Sequence, residues 1–181
     1  MEALTNRIVE DLHTLPFPVV SAVNGACAGG GVGMALAADI VIAAESAYFY
    51  LPFMPRLGIV PDLGCTWFLP RLIGRGRATA LALLGDRLPA AQAHEWGLVW
   101  QVMPDEQLQS QALALAKRLA QLPVHAATEV RQAFSHGEQC DLITQLRYEA
   151  ERQGELIDQP SFQEGVRAFL EKRNPVFDRN E

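Results

Sequence analysis

A run of closely spaced glycines between Asn24 and Asp39 constrains the fold more than any other feature. It reads NGACAGGGVGMALAAD, so three consecutive glycines precede an apolar helical pattern. Glycine adopts positive φ without strain and leaves its amide N–H uncovered, which suits a loop that holds negative charge at a helix start. In the alternative interpretation, such a turn binds nothing and only lets a strand pack closely against a helix. Because no Gly-Lys-Ser/Thr follows and the spacing does not fit a dinucleotide loop, we predict a site for one developing negative charge.

Length and composition indicate an ordinary globular chain. It has 181 residues, 49% of them apolar, and a formal net charge of −6. The acidic balance argues against a nucleic-acid partner, and charged residues, Pro and Gly interrupt every apolar run before the roughly 20 residues of a membrane span. The start of the chain is polar, unlike a signal peptide. The cysteines Cys27, Cys65 and Cys140 lack CxxC spacing, which predicts reduced thiols, no metal site and a cytoplasmic location.

The apolar periodicity predicts an α/β half followed by a helical half. In the first half the pattern predicts strands over 19–23, 40–44, 48–53 and 98–102, and helices over 3–14, 33–38, 63–72, 77–84 and 90–96. In the second half it predicts helices over 106–121, 125–136, 139–157 and 160–172. We therefore predict an α/β core over 1–105 and a helical region over 106–181 that serves oligomerisation.

Several motifs occur in a fixed order: the glycine run, LGIVPDLGCT at 57–66, PRLIG at 70–74, the segment 90–98, and a closing segment at 162–177. Together they resemble the crotonase superfamily of enoyl-CoA hydratases and isomerases. The resemblance implies a crotonase-like (ClpP/crotonase) spiral of ββα units whose C-terminal helices form a homotrimer or hexamer. It also implies acyl-CoA thioester ligands, with no cofactor other than the coenzyme A of the substrate. Relatives of this kind have a further N-terminal segment of the core, which supplies a second oxyanion N–H.

The chain departs from similar hydratases at the two glutamates that hold and activate water. Those positions fall at Gly33 and near Phe53 or Met54, and none of these side chains can transfer a proton. Asp62 stands where a similar subgroup of enoyl-CoA isomerases carries its single acid-base carboxylate. The resemblance therefore implies an isomerase in which Asp62 moves a proton while the N–H of Gly30 holds the enolate oxygen.

Other interpretations of the same residues stay open. From spacing alone, Asp62 is a helix N-cap. On the same scaffold, the alternatives to isomerisation are hydration or another thioester reaction, or a non-catalytic subunit. Because the chain is short, whether it is active by itself stays an open question.

Residues around these two groups are candidates for contact with the substrate. We expect Gly29, Phe53, Met54 and Trp67 to line an acyl pocket, although aromatic residues at such spacing also serve as core. In the closing segment, Phe169 and Lys172 are candidates for contact with coenzyme A bound to a neighbouring subunit.

Overall fold

The computed structural model describes residues 2–177, with side chains from residue 5 onward. The chain divides into two compact units. One contains Val19–Ala116 with the N-terminal residues up to Leu15, and the other contains Pro16–Pro18 with the chain from Lys117 onward. The division lies inside a helix, further along the chain than the boundary at residue 105 predicted from the sequence.

The first unit combines short strands with helices. Its strands are β1 (Val20–Val23), β2 (Ala26–Ala28), β3 (Ile40–Ala44), β4 (Tyr48–Tyr50), β5 (Leu88–Pro89) and β6 (Gln101–Met103). Its helices are α1 (Glu2–Thr14), α2 (Gly30–Leu36), α3 (Cys65–Leu84), α4 (Ala90–Glu95) and most of α5 (Asp105–Leu119). The second unit is helical, with α6 (Val124–Gly137), α7 (Leu142–Ile157) and α8 (Pro160–Glu171).

The strands form two small sheets. One is parallel, in the order β1-β3-β6, and the other has the order β2-β4-β5, in which β4 pairs in parallel with β2 and antiparallel with β5. Central strand β3 is apolar along its whole length and buried from Val41 to Ala44, as expected of a parallel strand covered on both faces. Parallel pairing of β1 with β3 requires a crossover, which β2 and α2 provide. This confirms the predicted β-loop-α-β unit.

Large side chains fill the core of this unit. Phe49 on β4, Ile42 on β3, and Leu51 after β4 are at most 1% exposed. Two cysteines lie in the same core, and their burial raises the pKa of Cys27 to about 11 and that of Cys65 to about 12. Both therefore remain neutral thiols that pack as small apolar residues.

Glycines move several element boundaries away from the predicted ones. Helix α2 begins at Gly30 rather than at residue 33, because Gly29 takes φ 57° and ψ −132°, a conformation almost restricted to glycine, and ends the preceding strand there. The predicted strand over 48–53 ends at Tyr50, and Phe53–Leu57 forms a π-helical turn closed by Gly58 at φ 66°. The short strands β2 and β5 were not predicted, because two or three residues give no periodic signal.

The two helices predicted over 63–72 and 77–84 lie end to end in helix α3. It runs on to Leu84 with a break at Gly74, where φ is 76° and ψ is 154°. It begins at Cys65 because the two preceding residues, Leu63 and Gly64, have left-handed backbones with φ of 50° and 81°. The prediction that Asp62 starts the helix is wrong for this reason.

Charged side chains fix the helices of the second unit. Arg152 on α7 donates two hydrogen bonds of 3.0 Å to the Glu129 carboxylate on α6. The carboxylate of Glu164 on α8 accepts hydrogen bonds from the Arg173 guanidinium at 2.6 and 3.0 Å, and one from the N–H of Val176 at 3.0 Å. The segment that follows α8 is thereby held against the helix.

No helix within residues 2–177 has both the length and the apolar character needed to cross a bilayer.

The Glu164 ion pair should make the second unit sensitive to acid. The Arg173 guanidinium lowers the pKa of Glu164 from 4.5 to about 2. Because the folded-state pKa is the lower one, the stabilisation is complete above the unfolded-state value and is lost as the pH falls from about 4.5 to about 2. We expect Glu164→Gln to lower the urea midpoint at neutral pH and to reduce its acid dependence in this range. The exposed Glu151→Gln variant is the control, and identical acid dependence of the wild type and Glu164→Gln would contradict the assignment.

Candidate active site

The N–H groups of Gly29 and Gly30 differ in their hydrogen bonding. The N–H of Gly29 donates a 2.8 Å hydrogen bond to the carbonyl of Tyr50, which ties the turn to β4. The next amide, that of Gly30, is the first of α2, and such first-turn amides have no acceptor inside their own helix. The structure gives it no acceptor elsewhere in the described part of the chain. Gly30 therefore offers an N–H donor that has no acceptor within the described residues.

Two glycines on one face of α2 make a notch that Leu63 fills. A Cβ on Gly30 would lie 2.2 Å from Leu63 Cδ1, and a Cβ on Gly33 would lie 1.8 Å from the carbonyl oxygen of Leu63. Residues three apart on a helix are neighbours on its surface, so one residue contacts both glycines. A side chain at Gly30 or Gly33 would prevent Leu63 from approaching α2 this closely.

This packing brings Asp62 to the start of α2. Its Oδ1 lies 3.4 Å from the position that a Cβ on Gly30 would occupy, and its side chain is exposed. The N-cap of α3 is Gly64, with no side-chain hydrogen bond to the helix, so the N-cap interpretation of Asp62 is wrong. Only the backbone of Asp62 contacts the helix start, where its carbonyl accepts the N–H of Cys65 at 3.0 Å. The carboxylate is therefore not engaged in capping.

Cys65 lies behind the glycine turn. Its Sγ is 3.9 Å from the carbonyl oxygen of Gly29, and the side chain is fully buried. Burial is the main cause that raises the pKa of this thiol to about 12, and the negative charge of Asp62 adds to it. A thiol that stays protonated is a poor base or nucleophile, so Cys65 is not a candidate for proton transfer.

Asp62 opens into a cavity of about 500 Å³. Val9, Glu10 and His13 line it from α1, and Trp67 and Phe68 line it from α3, beside Asp62. Trp67 is 42% exposed, whereas Phe68 is buried. The cavity thus combines two carboxylates, those of Asp62 and Glu10, with an apolar and aromatic wall, the usual character of a small-molecule site.

The predicted substrate-contact residues are distributed unevenly around this cavity. Trp67 lines it, and Gly29 lies at the turn before Gly30. Phe53 is buried, with its Cζ 3.8 Å from the position of a Cβ on Gly29, so it supports the turn from within the core. Met54 is 48% exposed, and neither Phe53 nor Met54 lines the cavity.

Both predicted coenzyme A contacts belong to the second unit. Phe169 is 82% exposed on α8, and Lys172 ends that helix in a left-handed conformation with φ 54°.

A second cavity of the first unit offers less chemistry. It has a volume of about 510 Å³ and lies along the glycine run and β1, with a wall that contains no carboxylate, imidazole or basic side chain. Across the described residues, no group of three or more His, Cys, Asp or Glu side chains could hold a metal ion. The cavity at Asp62 is therefore the candidate active site.

The sequence analysis assigned no role to α1, yet α1 forms one wall of the site. His13 contacts the rings of Trp67 and Phe68, each with centroids 5.7 Å apart. The available signal was the helical spacing of Val9 and His13, which places both on one face of an amphipathic helix. What that face would contact was not visible from spacing.

Comparison with known proteins identifies the family. The enoyl-CoA hydratase/isomerase family matches residues 3–180. The chain is 48% identical over 177 residues to 1,2-epoxyphenylacetyl-CoA isomerase of Escherichia coli (strain K12), covering 98% of this chain and 67% of that protein. It is 36% identical to short-chain-enoyl-CoA hydratase of Clostridium acetobutylicum, covering 94% and 65%. This chain therefore belongs to the enoyl-CoA hydratase/isomerase family of the crotonase superfamily.

Solved structures agree with this assignment. An enoyl-CoA hydratase from Bacillus anthracis superposes with a TM-score of 0.89 at 40% identity, over 96% of this chain and 67% of that chain. An enoyl-CoA hydratase from Polaromonas sp. JS666 gives a TM-score of 0.90 at 32% identity, over the same shares. The predicted crotonase-like α/β fold is confirmed. The chain spans about two thirds of the length of these relatives.

The Leu63 notch can be tested with two neighbouring glycines. We expect Gly33→Ala to cost about 1–3 kcal/mol of stability, because its methyl group would collide with the Leu63 carbonyl, a backbone atom that cannot move alone. Gly31→Ala is the matched control, since a Cβ there meets nothing within 4 Å and alanine favours a helix. Urea unfolding measures both variants. A Gly33→Ala variant as stable as Gly31→Ala would show that the notch is not tightly packed.

Proposed function

We propose that this chain carries the proton-transfer part of a CoA-thioester isomerase site, in which Asp62 is the acid-base group and the N–H of Gly30 binds the enolate oxygen. The observation that carries the proposal is the position of Asp62 Oδ1, 3.4 Å from where a Cβ on Gly30 would stand. In the reaction, Asp62 removes a proton from C2 of a 3-enoyl thioester. The electrons pass to the thioester oxygen as an enolate, and the proton returns at C4, which moves the double bond.

The amide of Gly30 suits the enolate. Negative charge that develops on a thioester oxygen is stabilised by preorganised N–H donors, and the loss of one such donor typically costs about 10²–10³ in rate. The N–H of Gly29 is committed to the carbonyl of Tyr50, whereas the N–H of Gly30 has no acceptor in the described residues. Of these two N–H groups, that of Gly30 is the one left to bind the enolate oxygen.

A two-glutamate hydratase site is disfavoured by packing as well as by residue type. A side chain at Gly33 would occupy the space of the Leu63 carbonyl oxygen, which a Cβ would approach to 1.8 Å. The other glutamate position falls near Phe53, which is buried, and Met54, which carries no titratable group. Asp62 is the carboxylate that lies beside Gly30, whereas Glu10 lines the cavity from α1. Because removal and return of a proton need only one group, a double-bond shift is the simplest thioester reaction that Asp62 supports.

The relatives support this order of candidates without deciding it. The Escherichia coli protein, at 48% identity, is named an isomerase of a CoA thioester. The Clostridium acetobutylicum protein, at 36% identity, is named a hydratase. Hydration by a water molecule that Asp62 alone activates is therefore the second candidate, and a non-catalytic subunit is the third.

Assembly through the second unit is part of the proposal. Phe169 and Leu170 on α8 are 82% and 73% exposed, and large apolar residues at such exposure are typical of protein interfaces. We expect this region to form a homotrimer or hexamer. Phe169 and Lys172 would then contact coenzyme A bound to a neighbouring subunit.

Asp62→Asn tests the catalytic assignment, because it keeps the size of the side chain and removes the base. We expect it to slow conversion of 3-hexenoyl-CoA to the 2-enoyl product by about 10²–10⁴-fold, the usual contribution of general acid-base catalysis. Asp86→Asn, at an exposed aspartate that lies outside the cavity, should keep the wild-type rate. Product formation is followed by the absorbance of the conjugated thioester.

Other outcomes separate the alternatives. Equal rates in the wild type and Asp62→Asn would overturn the role of Asp62. A 3-hydroxyacyl-CoA as the main product from a 2-enoyl-CoA would favour hydration. No conversion of either substrate by the wild type would favour the non-catalytic subunit.

A further inference from the structure

A cysteine, a histidine and a glutamine meet where α6 ends and α7 begins. The Sγ of Cys140 lies 3.4 Å from Nδ1 of His136 and 3.7 Å from Oε1 of Gln145. The same Nδ1 lies 2.8 Å from that Oε1, so the three polar atoms form a closed triangle. We call Cys140, His136 and Gln145 the thiol cluster. All three residues are half-buried and belong to the second unit.

Gln145 fixes where the ring proton of His136 lies. The amide Nε2 of Gln145 donates hydrogen bonds to the carbonyl of Ala133 at 3.1 Å and to Oε1 of Glu149 at 3.3 Å. Because carbonyl and carboxylate oxygens accept hydrogen bonds, the amide nitrogen faces them and the amide oxygen faces His136. Two acceptors 2.8 Å apart would repel each other, so Nδ1 of His136 carries the proton and donates it to Gln145. This N–H therefore lies beside the sulfur of Cys140.

Stacking holds the imidazole in this position. The rings of His136 and Tyr148 are nearly parallel, with planes at 11° and centroids 4.2 Å apart. The imidazole is thus held by Tyr148 on its face and by Gln145 at Nδ1, so Cys140 meets an N–H donor of fixed orientation. When the thiol loses its proton, this donor binds the sulfur anion without rearrangement, because hydrogen bonds to charged acceptors are stronger than those to neutral ones.

We propose that Cys140 is a modification site, at which the thiolate adds to uncharged α,β-unsaturated carbonyl compounds with support from the N–H of His136. The thiol first loses its proton to water. The sulfur then forms a bond to the β-carbon, and the π electrons of the double bond move to the α-carbon, which takes a proton from water. Atoms and electrons therefore balance without an oxidant or a second reactant. None of the residues of the Asp62 cavity takes part, so the modification is independent of the proposed function.

Neighbouring charge favours uncharged reagents. The residue after Cys140, Asp141, is the N-cap of α7, and the hydrogen bond from the N–H of Thr144 lowers the pKa of its carboxyl group. Glu149 places a second carboxylate against the amide of Gln145. Because like charges repel, these carboxylates disfavour the approach of anionic reagents to the sulfur.

The other two cysteines of the chain provide an internal reference. Cys27 and Cys65 are buried in the core of the first unit, and burial raises their pKa to about 11 and about 12. Cys140, in contrast, is half-buried. In the folded chain, a reagent in solution therefore reaches Cys140 before the other two thiols.

Labelling of Cys140 in the folded chain and in urea tests the proposal. The probe is N-ethylmaleimide, an uncharged α,β-unsaturated imide, at neutral pH, and peptide mass spectrometry follows each cysteine separately. A half-buried thiol without a supporting group reacts more slowly in a folded chain than after unfolding, because access is restricted. We expect Cys140 instead to react about 2- to 10-fold faster in the folded chain than in concentrated urea, the effect of one net hydrogen bond. Cys27 and Cys65 should react only in urea.

Two variants assign the effect to the N–H of His136. His136→Phe keeps a flat ring against Tyr148 and removes the N–H, so folded Cys140 should react no faster than Cys140 in urea. Tyr148→Phe is the matched control, because it keeps the stacked ring and removes only the hydroxyl group, and it should keep the wild-type rate. The wild-type comparison of folded with unfolded chain needs no variant, so the test holds even where a substitution prevents folding.

A charged probe tests the selection for uncharged compounds. The probe is 6-maleimidohexanoate, which has the same reactive ring as N-ethylmaleimide and carries a carboxylate. We expect the folded chain to prefer N-ethylmaleimide over this probe more strongly than the chain in urea does, because the carboxylates of Asp141 and Glu149 lie near the sulfur only in the folded chain.

Three results would overturn the proposal. They are a rate for folded Cys140 equal to or below its rate in urea, equal rates in the wild type and His136→Phe, and equal preference between the two maleimides in the folded and unfolded chain. Asp62→Asn should label at the wild-type rate while it loses isomerisation. Preserved isomerisation in Asp62→Asn would instead overturn the proposed function and leave the modification site standing.

Discussion

The candidate site depends on the contact between Leu63 and two glycines of α2. Gly30 and Gly33 remove the side chains from one face of the helix, and Leu63 occupies the space, with its carbonyl oxygen where a Cβ on Gly33 would be. Leu63 takes φ 50°, a strained backbone for a branched residue, which the packing around it must compensate. The same contact sets Asp62 beside Gly30, whose N–H has no acceptor in the described residues, and leaves no room for a glutamate at residue 33. One packing contact thus determines which side chains these positions can carry.

The surroundings of this contact keep the chemistry simple. Cys65 closes the rear of the glycine turn as a buried neutral thiol, and Phe53 supports Gly29 from the core. Two left-handed residues, Leu63 and Gly64, precede helix α3, so the Asp62 side chain does not cap it. The carboxylate is left facing a cavity with an aromatic wall, where an acyl group would be held next to it.

Much of this arrangement could be predicted from the sequence. The rest could not, and the reasons are physical. The periodicity of apolar residues predicted β3 with its observed ends and all three helices of the second unit, because long or fully buried elements carry a strong pattern. Motif order predicted the family, which is confirmed, and it also named Asp62 as the acid-base group, which stays a prediction. The role of Phe53 beneath Gly29, the left-handed Leu63 and the contact of His13 with Trp67 depend on packing between distant segments, which no local pattern encodes.

The most direct test of the account is exchange of the α-protons of butanoyl-CoA with D₂O, followed by NMR. A saturated thioester has no double bond to move, so exchange reports only proton removal by the base and stabilisation of the enolate. We predict exchange by the wild type and by Asp86→Asn, and a rate lower by about 10²–10⁴-fold in Asp62→Asn. Exchange at the wild-type rate in Asp62→Asn, or no exchange by the wild type, would contradict it.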